Sequence, residues 1–193
     1  MPAYAGMTAE RVARLRIKMA ENQSSWPDLI HAHFKRAGVR QVGYVPDAGH
    51  SRLINLCKQD NAITDVVLTT EEEGVGLVAG AALGGERAAL LMQSSGVGNC
   101  INMFALLKNC GFPCLLLVTM RGEYAEFNPW QVPMGSITEQ VLKLSGFQVY
   151  RVNHPDEVDD IVGAATDMAF DANLPVAVIL SQRLIGRKQW VRE

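Results

Sequence analysis

Apolar residues arrive along this chain in short, nearly unbroken runs separated by amphipathic stretches, and that alternation predicts most of its secondary structure. Strand-length runs stand at residues 41–45, 65–68, 88–92, 114–119, 148–152 and 176–180. Most are continuously apolar, the pattern of strands buried on both faces of a parallel sheet, where in/out alternation is lost. Between them the period changes. Ile30, Phe34 and Ala37 recur at helical spacing, behind Ser25 as a cap and Pro27 in the first turn, and Gly38 stops that helix. A helix over 51–58, with Leu53, Ile54 and Leu56 as its apolar positions, follows the break Pro46-Asp47-Ala48-Gly49, and a helix of small residues runs over 75–83. Strand–loop–helix repeated in this way predicts an α/β fold, a doubly wound, mainly parallel six-stranded sheet with helices on both faces.

In such sheets ligands bind beyond the carboxyl ends of the strands. The loops at residues 46–50, 69–74, 93–99 and 121–135 are therefore the places to search for chemistry. Residues 25–193 read as one domain. Residues 1–24 read as an extension, partly helical or flexible, with Met7 and Met19 as alternative starts.

Composition removes several function classes. A net charge of -2 with both signs interspersed gives no electrostatic footprint for nucleic acid or an anionic membrane. The apolar runs are far shorter than the roughly 20 residues that span a bilayer. No secretion signal is recognisable, so a cytoplasmic location is the default expectation. The four cysteines, Cys57, Cys100, Cys110 and Cys114, lack metal-site spacing and read as reduced core thiols. No metal ligand set is expected on this chain.

The run Glu71-Glu72-Glu73 sits where a buried strand gives way to a helix, a place where acids gather simply to complement the helix dipole. The helix behind it is unusual. Gly74, Gly76, Ala79, Gly80, Ala81, Ala82, Gly84 and Gly85 make a very small surface, and each interior glycine costs about 1 kcal/mol against alanine. A tight helix–helix interface or a ligand cleft would explain it. The stretch Gln93-Ser94-Ser95-Gly96-Val97-Gly98-Asn99 also follows a buried strand and opens a helix, so its amides could receive an anion, but it lacks both the P-loop ending and the three-glycine dinucleotide pattern.

Taken together, Glu71 followed by Val75-Gly76 and Ala79-Gly80, then Met92-Gln93-Ser94-Ser95-Gly96-Val97-Gly98-Asn99, resemble the pyrimidine-binding domain of thiamine-diphosphate enzymes. With Val45-Pro46-Asp47 added, the pattern is most similar to the first domain of the phosphonopyruvate and sulfopyruvate decarboxylases, and it covers residues 26 to about 181. The resemblance implies that a buried carboxylate hydrogen-bonds a ring nitrogen of the aminopyrimidine and so activates the cofactor for attack on a 2-oxo acid. Register against Val75-Gly76 places that carboxylate at Glu71, with Glu72 the next candidate. Gln93, Ser95, Gly96, Gly98 and Asn99 become the expected cofactor-binding residues.

Asp47 and His50 would then flank the reacting carbon, available for proton transfer or substrate contacts. Fixing the turn and capping the next helix are equal alternatives for them. Arg121 suits a carboxylate, phosphonate or sulfonate, and an ion pair with Glu123 or Glu126 suits it equally. His31 and His33 read as ordinary helix positions, and Trp130 as a packing or interface anchor.

Full-length relatives carry a second domain in which Gly-Asp-Gly and a later Asn hold Mg2+ and the diphosphate. No Gly-Asp-Gly occurs here, and only 12 residues follow Ser181. The resemblance therefore implies the alpha subunit of a two-subunit 2-oxo acid decarboxylase of the sulfopyruvate or phosphonopyruvate type. Thiamine diphosphate would be shared with a beta subunit that holds Mg2+, and homo-oligomeric contacts are also expected. Half of an acetolactate-synthase-like carboligase, or a non-catalytic regulatory or binding subunit of the same fold, are the alternative readings.

Overall fold

A computed structural model describes residues 25–186. The expected N-terminal extension over 1–24, and the last residues after 186, lie outside the described residues.

Six strands, β1 (Val39–Tyr44), β2 (Thr64–Val67), β3 (Arg87–Gln93), β4 (Cys114–Thr119), β5 (Gln148–Val152) and β6 (Pro175–Leu180), form one sheet in the order β2-β1-β3-β4-β6-β5. Every neighbouring pair is parallel. The continuous apolar runs have the expected meaning in the central strands. Leu115 and Leu117 enter one core cluster and Leu116 and Val118 the other, as the period of two sends successive side chains to opposite faces. β2 and β5 are the edges, and apart from Val152 their residues stay partly exposed.

Around the sheet lie α1 (Trp26–Arg36), α2 (Ser51–Gln59), α3 (Glu71–Leu83), α4 (Ser94–Cys100), α5 (Phe104–Cys110), α6 (Val132–Leu144), α7 (Val158–Phe170) and α8 (Gln182–Ile185). Helices α1, α2, α7 and α8 supply one cluster; α3, α4, α5 and α6 supply the other. The doubly wound arrangement is thereby established.

Several local expectations are corrected. Helix α3 begins at Glu71, not at Val75, so all three glutamates are its first turn. The stretch after β3 turns helical immediately at Ser94. The segment 121–135 is a loop only as far as Asn128, with a 3-10 turn at Pro129–Gln131 leading into α6. Cys57 and not Leu56 completes the buried face of α2. Ser25 caps α1 through its carbonyl, which accepts from the Asp28 and Leu29 amides, while its hydroxyl donates to the Asp28 carboxylate. Cys57, Cys100 and Cys114 are buried, but Cys110 is exposed. His33 is more than an ordinary helix position: it is buried and bonded to Asp159 and Arg36.

The strand order sets the position of the site. From β1 the chain leaves through α2 to β2, then returns through α3 to β3 on the other side of β1, so helices depart to opposite faces at the β1/β3 gap. A crevice opens at such a switch point, and there the ends of β1, β3, β4 and β6 converge.

Candidate active site

Helix α4 is the short platform on which the candidate residues meet. It starts directly from β3, so Gln93, Ser94 and Ser95 sit at the strand's carboxyl end, while Gly96 and Asn99 meet Glu71 in the first turn of α3. Asn99 Nδ2 donates to Glu71 Oε2 at 2.8 Å. Gly96 lies beneath the same carboxylate: a β-carbon there would stand 2.5 Å from Glu71 Cγ and 2.7 Å from its Oε1. Among the described residues Oε1 has no hydrogen-bond partner.

Glu72 and Glu73 behave differently. Both are exposed, and Glu73 Oε2 turns back to accept from the Thr69 amide at 2.8 Å, closing the helix start. Of the three glutamates, Glu71 alone is turned onto α4.

On the other side of α4 stands Asp47. Its Oδ2 accepts from Thr119 Oγ1 at 2.6 Å and from the Gly49 amide at 3.1 Å, and its Oδ1 accepts from Gln93 Nε2 at 3.0 Å. Gln93 Oε1 in turn accepts from Ser95 Oγ at 3.0 Å. The carboxylate thus pins the ends of β1, β3 and β4 together. It faces a pocket of about 180 Å³ lined by Asp47, Gln93, Thr119, Arg121 and Gln182, among others.

His50 does not line that pocket. It is 1% exposed, and its Nε2 lies 3.2 Å from the Leu117 carbonyl, so Nε2 carries the hydrogen and donates. Burial depresses its pKa below the usual histidine range, against the smaller opposing pull of Asp47. The ring is then neutral, and its buried Nδ1 has no partner among the described residues.

Arg121 resolves to the ion pair with Glu126. Its Nε and Nη2 donate to the two carboxylate oxygens at 2.6 and 2.5 Å, and both side chains are buried. Glu126 also accepts from the Gly122 and Asn128 amides and from Gln182 Nε2. The guanidinium and its hydrogen bond hold the Glu126 carboxyl down to about 2. Glu123 pairs with Arg151 instead. Gly98 packs against the Met134 side chain of α6, so its small size serves helix packing.

Three contributors escaped the sequence reading: Ser94, whose hydroxyl accepts from the Arg121 amide; Thr119; and Gln182, whose Oε1 accepts from the Glu123 and Tyr124 amides. Thr119 and Gln182 carried one available signal, since each is a polar residue at or just past the carboxyl end of a buried apolar strand. Among the described residues no group of three or more His, Cys, Asp or Glu side chains is arranged to hold a metal ion, and no helix is long and apolar enough to cross a membrane.

An all-parallel sheet with polar side chains gathered beyond its carboxyl ends places the chain among the doubly wound α/β domains that work from the crevice beyond their strand ends. The same fold occurs in a 2-oxoglutarate:ferredoxin oxidoreductase from Magnetococcus marinus, solved with 2-oxoglutarate, coenzyme A and succinyl-CoA bound, at a TM-score of 0.66 and 13% identity over 84% of this chain and 29% of that one. Sequence carries the comparison further. The sulfopyruvate decarboxylase alpha subunit of Methanococcus maripaludis is 36% identical over 145 residues, 75% of this chain and 87% of the relative. That of Methanocaldococcus jannaschii is 34% identical, over 78% and 89%. The chain belongs to the family of sulfopyruvate decarboxylase alpha subunits. A longer sulfopyruvate decarboxylase from Methanosarcina acetivorans is 28% identical over 78% of this chain, which spans only 38% of that relative. No protein-family model matches the chain.

Proposed function

We propose that this chain is the cofactor-activating half of a thiamine-diphosphate-dependent sulfopyruvate decarboxylase, completed by a partner chain that holds the diphosphate and its Mg2+. The observation that carries the proposal is Glu71. It is half-buried, turned onto α4, and anchored through Oε2 by Asn99 so that Oε1 is left to accept a hydrogen from a ring nitrogen. The glycine at 96 leaves the space that this orientation needs. An aminopyrimidine edge fits that arrangement of one anchored and one unpartnered oxygen.

When bound, thiamine diphosphate supplies the electron-accepting ring to which a 2-oxo acid adds before losing carbon dioxide. The chain's own tasks are narrower. Glu71 holds the proton at the pyrimidine edge, Asn99 fixes its carboxylate, and Asp47 presents a second carboxylate to the pocket. The subunit naming of its relatives, and the longer single-chain relative, support a site completed by further polypeptide.

The test is reconstitution with a partner chain carrying Gly-Asp-Gly and a downstream Asn, followed by carbon dioxide release from sulfopyruvate. Glu71→Gln is expected to lower kcat by on the order of 10²–10⁴, the range of general acid–base catalysis, with Glu72→Gln much milder. Full activity in a folded Glu71→Gln complex overturns the proposal.

A further inference from the structure

Asp47 is held by three donors, but they are not equivalent. The Gly49 amide and Gln93 Nε2 can only donate, Gln93 being committed in that sense because its Oε1 already accepts from Ser95. They can donate to a carboxylate or to the carbonyl oxygen of a carboxylic acid, but neither can accept the hydrogen that the acid carries. Thr119 is different. Its hydroxyl donates to Asp47 Oδ2 at 2.6 Å, and a second acceptor, the Met92 carbonyl, lies 3.4 Å from the same oxygen. A hydroxyl carries one hydrogen and two lone pairs and rotates to suit its neighbours.

Resting on the reading of this pocket as the decarboxylation site, we propose that Thr119 is the positioning residue that lets Asp47 alternate between carboxylate and carboxylic acid as it delivers a proton to the product. With Asp47 ionised, the threonine hydrogen points to Oδ2. With Asp47 protonated, it turns to the Met92 carbonyl and the threonine oxygen accepts the Asp47 hydrogen. In neither state is a buried polar group left unsatisfied, which matters because Thr119 is 1% exposed and water cannot substitute.

The proton balance is simple. Departure of carbon dioxide leaves an electron pair on the substrate carbon. The Asp47 O–H bond breaks, a C–H bond forms with that pair, and Asp47 is left as a carboxylate facing the Thr119 hydroxyl. A solvent proton entering the pocket restores the acid. Two basic side chains frame the exchange without taking part: Arg121 is locked to Glu126, and His50 is buried and neutral with its Nε2 on Leu117. Gly49 leaves room for both groups, since a β-carbon there would stand 2.8 Å from Thr119 Cγ2 and 2.8 Å from Asp47 Oδ2.

Valine keeps the shape of threonine and loses the hydroxyl; serine keeps the hydroxyl and loses the methyl. In the complex with its partner chain, Thr119→Val is expected to lower kcat at least tenfold with KM within about twofold of wild type, and Thr119→Ser to recover most of it. Asp47→Asn should lower kcat further, and adding Thr119→Val to Asp47→Asn should cost nothing more, the non-additivity of residues that act as a unit. Independently of activity, the carboxyl carbon-13 resonance of Asp47 in the labelled full chain should move in Thr119→Val and not in Thr119→Ser. Equal kcat in Thr119→Val and wild type overturns the inference, as does failure of serine to rescue in a folded complex. Glu71→Gln in the same preparations separates the two levels. If it is active, the reading of the site itself has failed; if it is inactive while Thr119→Val is not, only the role of Thr119 has.

Discussion

Replacing Gly96 by alanine should separate stability from function, because the three atoms nearest the added methyl all belong to Glu71. The new carbon would stand 2.5 Å from Glu71 Cγ and 2.7 Å from Cδ and Oε1, where non-bonded atoms rest about 3.5–4.0 Å apart. The carboxylate must therefore retreat by about 1 Å. Stability changes little. Helix α4 gains roughly 0.8–1 kcal/mol in propensity, and displacement of a half-buried, flexible side chain costs about as much or somewhat more, below the 1–3 kcal/mol typical of overpacking in a closed core. Function does not share that tolerance, since about 1 Å of misplacement at a reacting group costs on the order of 10²-fold. The expected result is a urea midpoint near wild type with carbon dioxide release from sulfopyruvate reduced about a hundredfold in the complex. A fully active Gly96→Ala complex would refute the argument that the seat of Glu71 on α4 sets its competence.

Two further outcomes follow from the charged groups. Glu126→Gln strands Arg121 without its bidentate partner in a place where the two side chains are only 9% and 4% exposed. Breaking a buried pair from one side costs about 3–5 kcal/mol, so urea unfolding should show a loss of that order, and a loss under about 1 kcal/mol would mean that the pair is solvated. Stability should also decline with acid in two stages. Because burial lowers the pKa of His50 in the folded state, the unfolded chain takes up that proton first, and stability falls below about pH 6.5. Because Glu126 is held down to about 2, its contribution is complete above about pH 4.3 and is lost as pH falls toward 2. His50→Leu should flatten the upper stage alone in unfolding curves taken across that range, and an unchanged profile there would contradict the assignment.

The fold was legible wherever a strand is buried on both sides. β3, β4 and β6 appear in the sequence as continuous apolar runs because helices cover both faces, and their expected limits are met to within a residue. Helix starts were harder. Residues 71–74 resemble a loop because acids and glycine are as common before a helix as inside its first turn, and only the backbone shows that Glu71 is already helical. The stretch after Gln93 carries two glycines and two serines, weak helix formers, yet α4 forms because Val97 and Cys100 are buried against the sheet. Glu71 and Asp47 could be picked out by position in a motif. Thr119 and Gln182 could not, because each owes its role to a partner far along the chain, Thr119 to Asp47 and Gln182 to the Glu123–Glu126 turn; Glu126 was legible as one of two local partners for Arg121.

The composition of α4 follows from these contacts. Gln93 and Ser95 reach toward Asp47, Ser94 fastens the chain at Arg121, Gly96 and Asn99 receive Glu71, and Gly98 admits Met134 of α6. Seven residues of helix thus serve two carboxylates and two neighbouring segments, which leaves no position for the residues that would make it a better helix. Asn99 of α4 holds Glu71 and Gln93 at its N-cap holds Asp47, so the two carboxylates proposed to serve the cofactor and the product's proton are both tied to the β3–α4 segment. A substitution that loosens the helix without touching either carboxylate, such as Ser94→Gly, should therefore impair both functions at once, whereas Asn99→Ala should impair only the one that depends on Glu71.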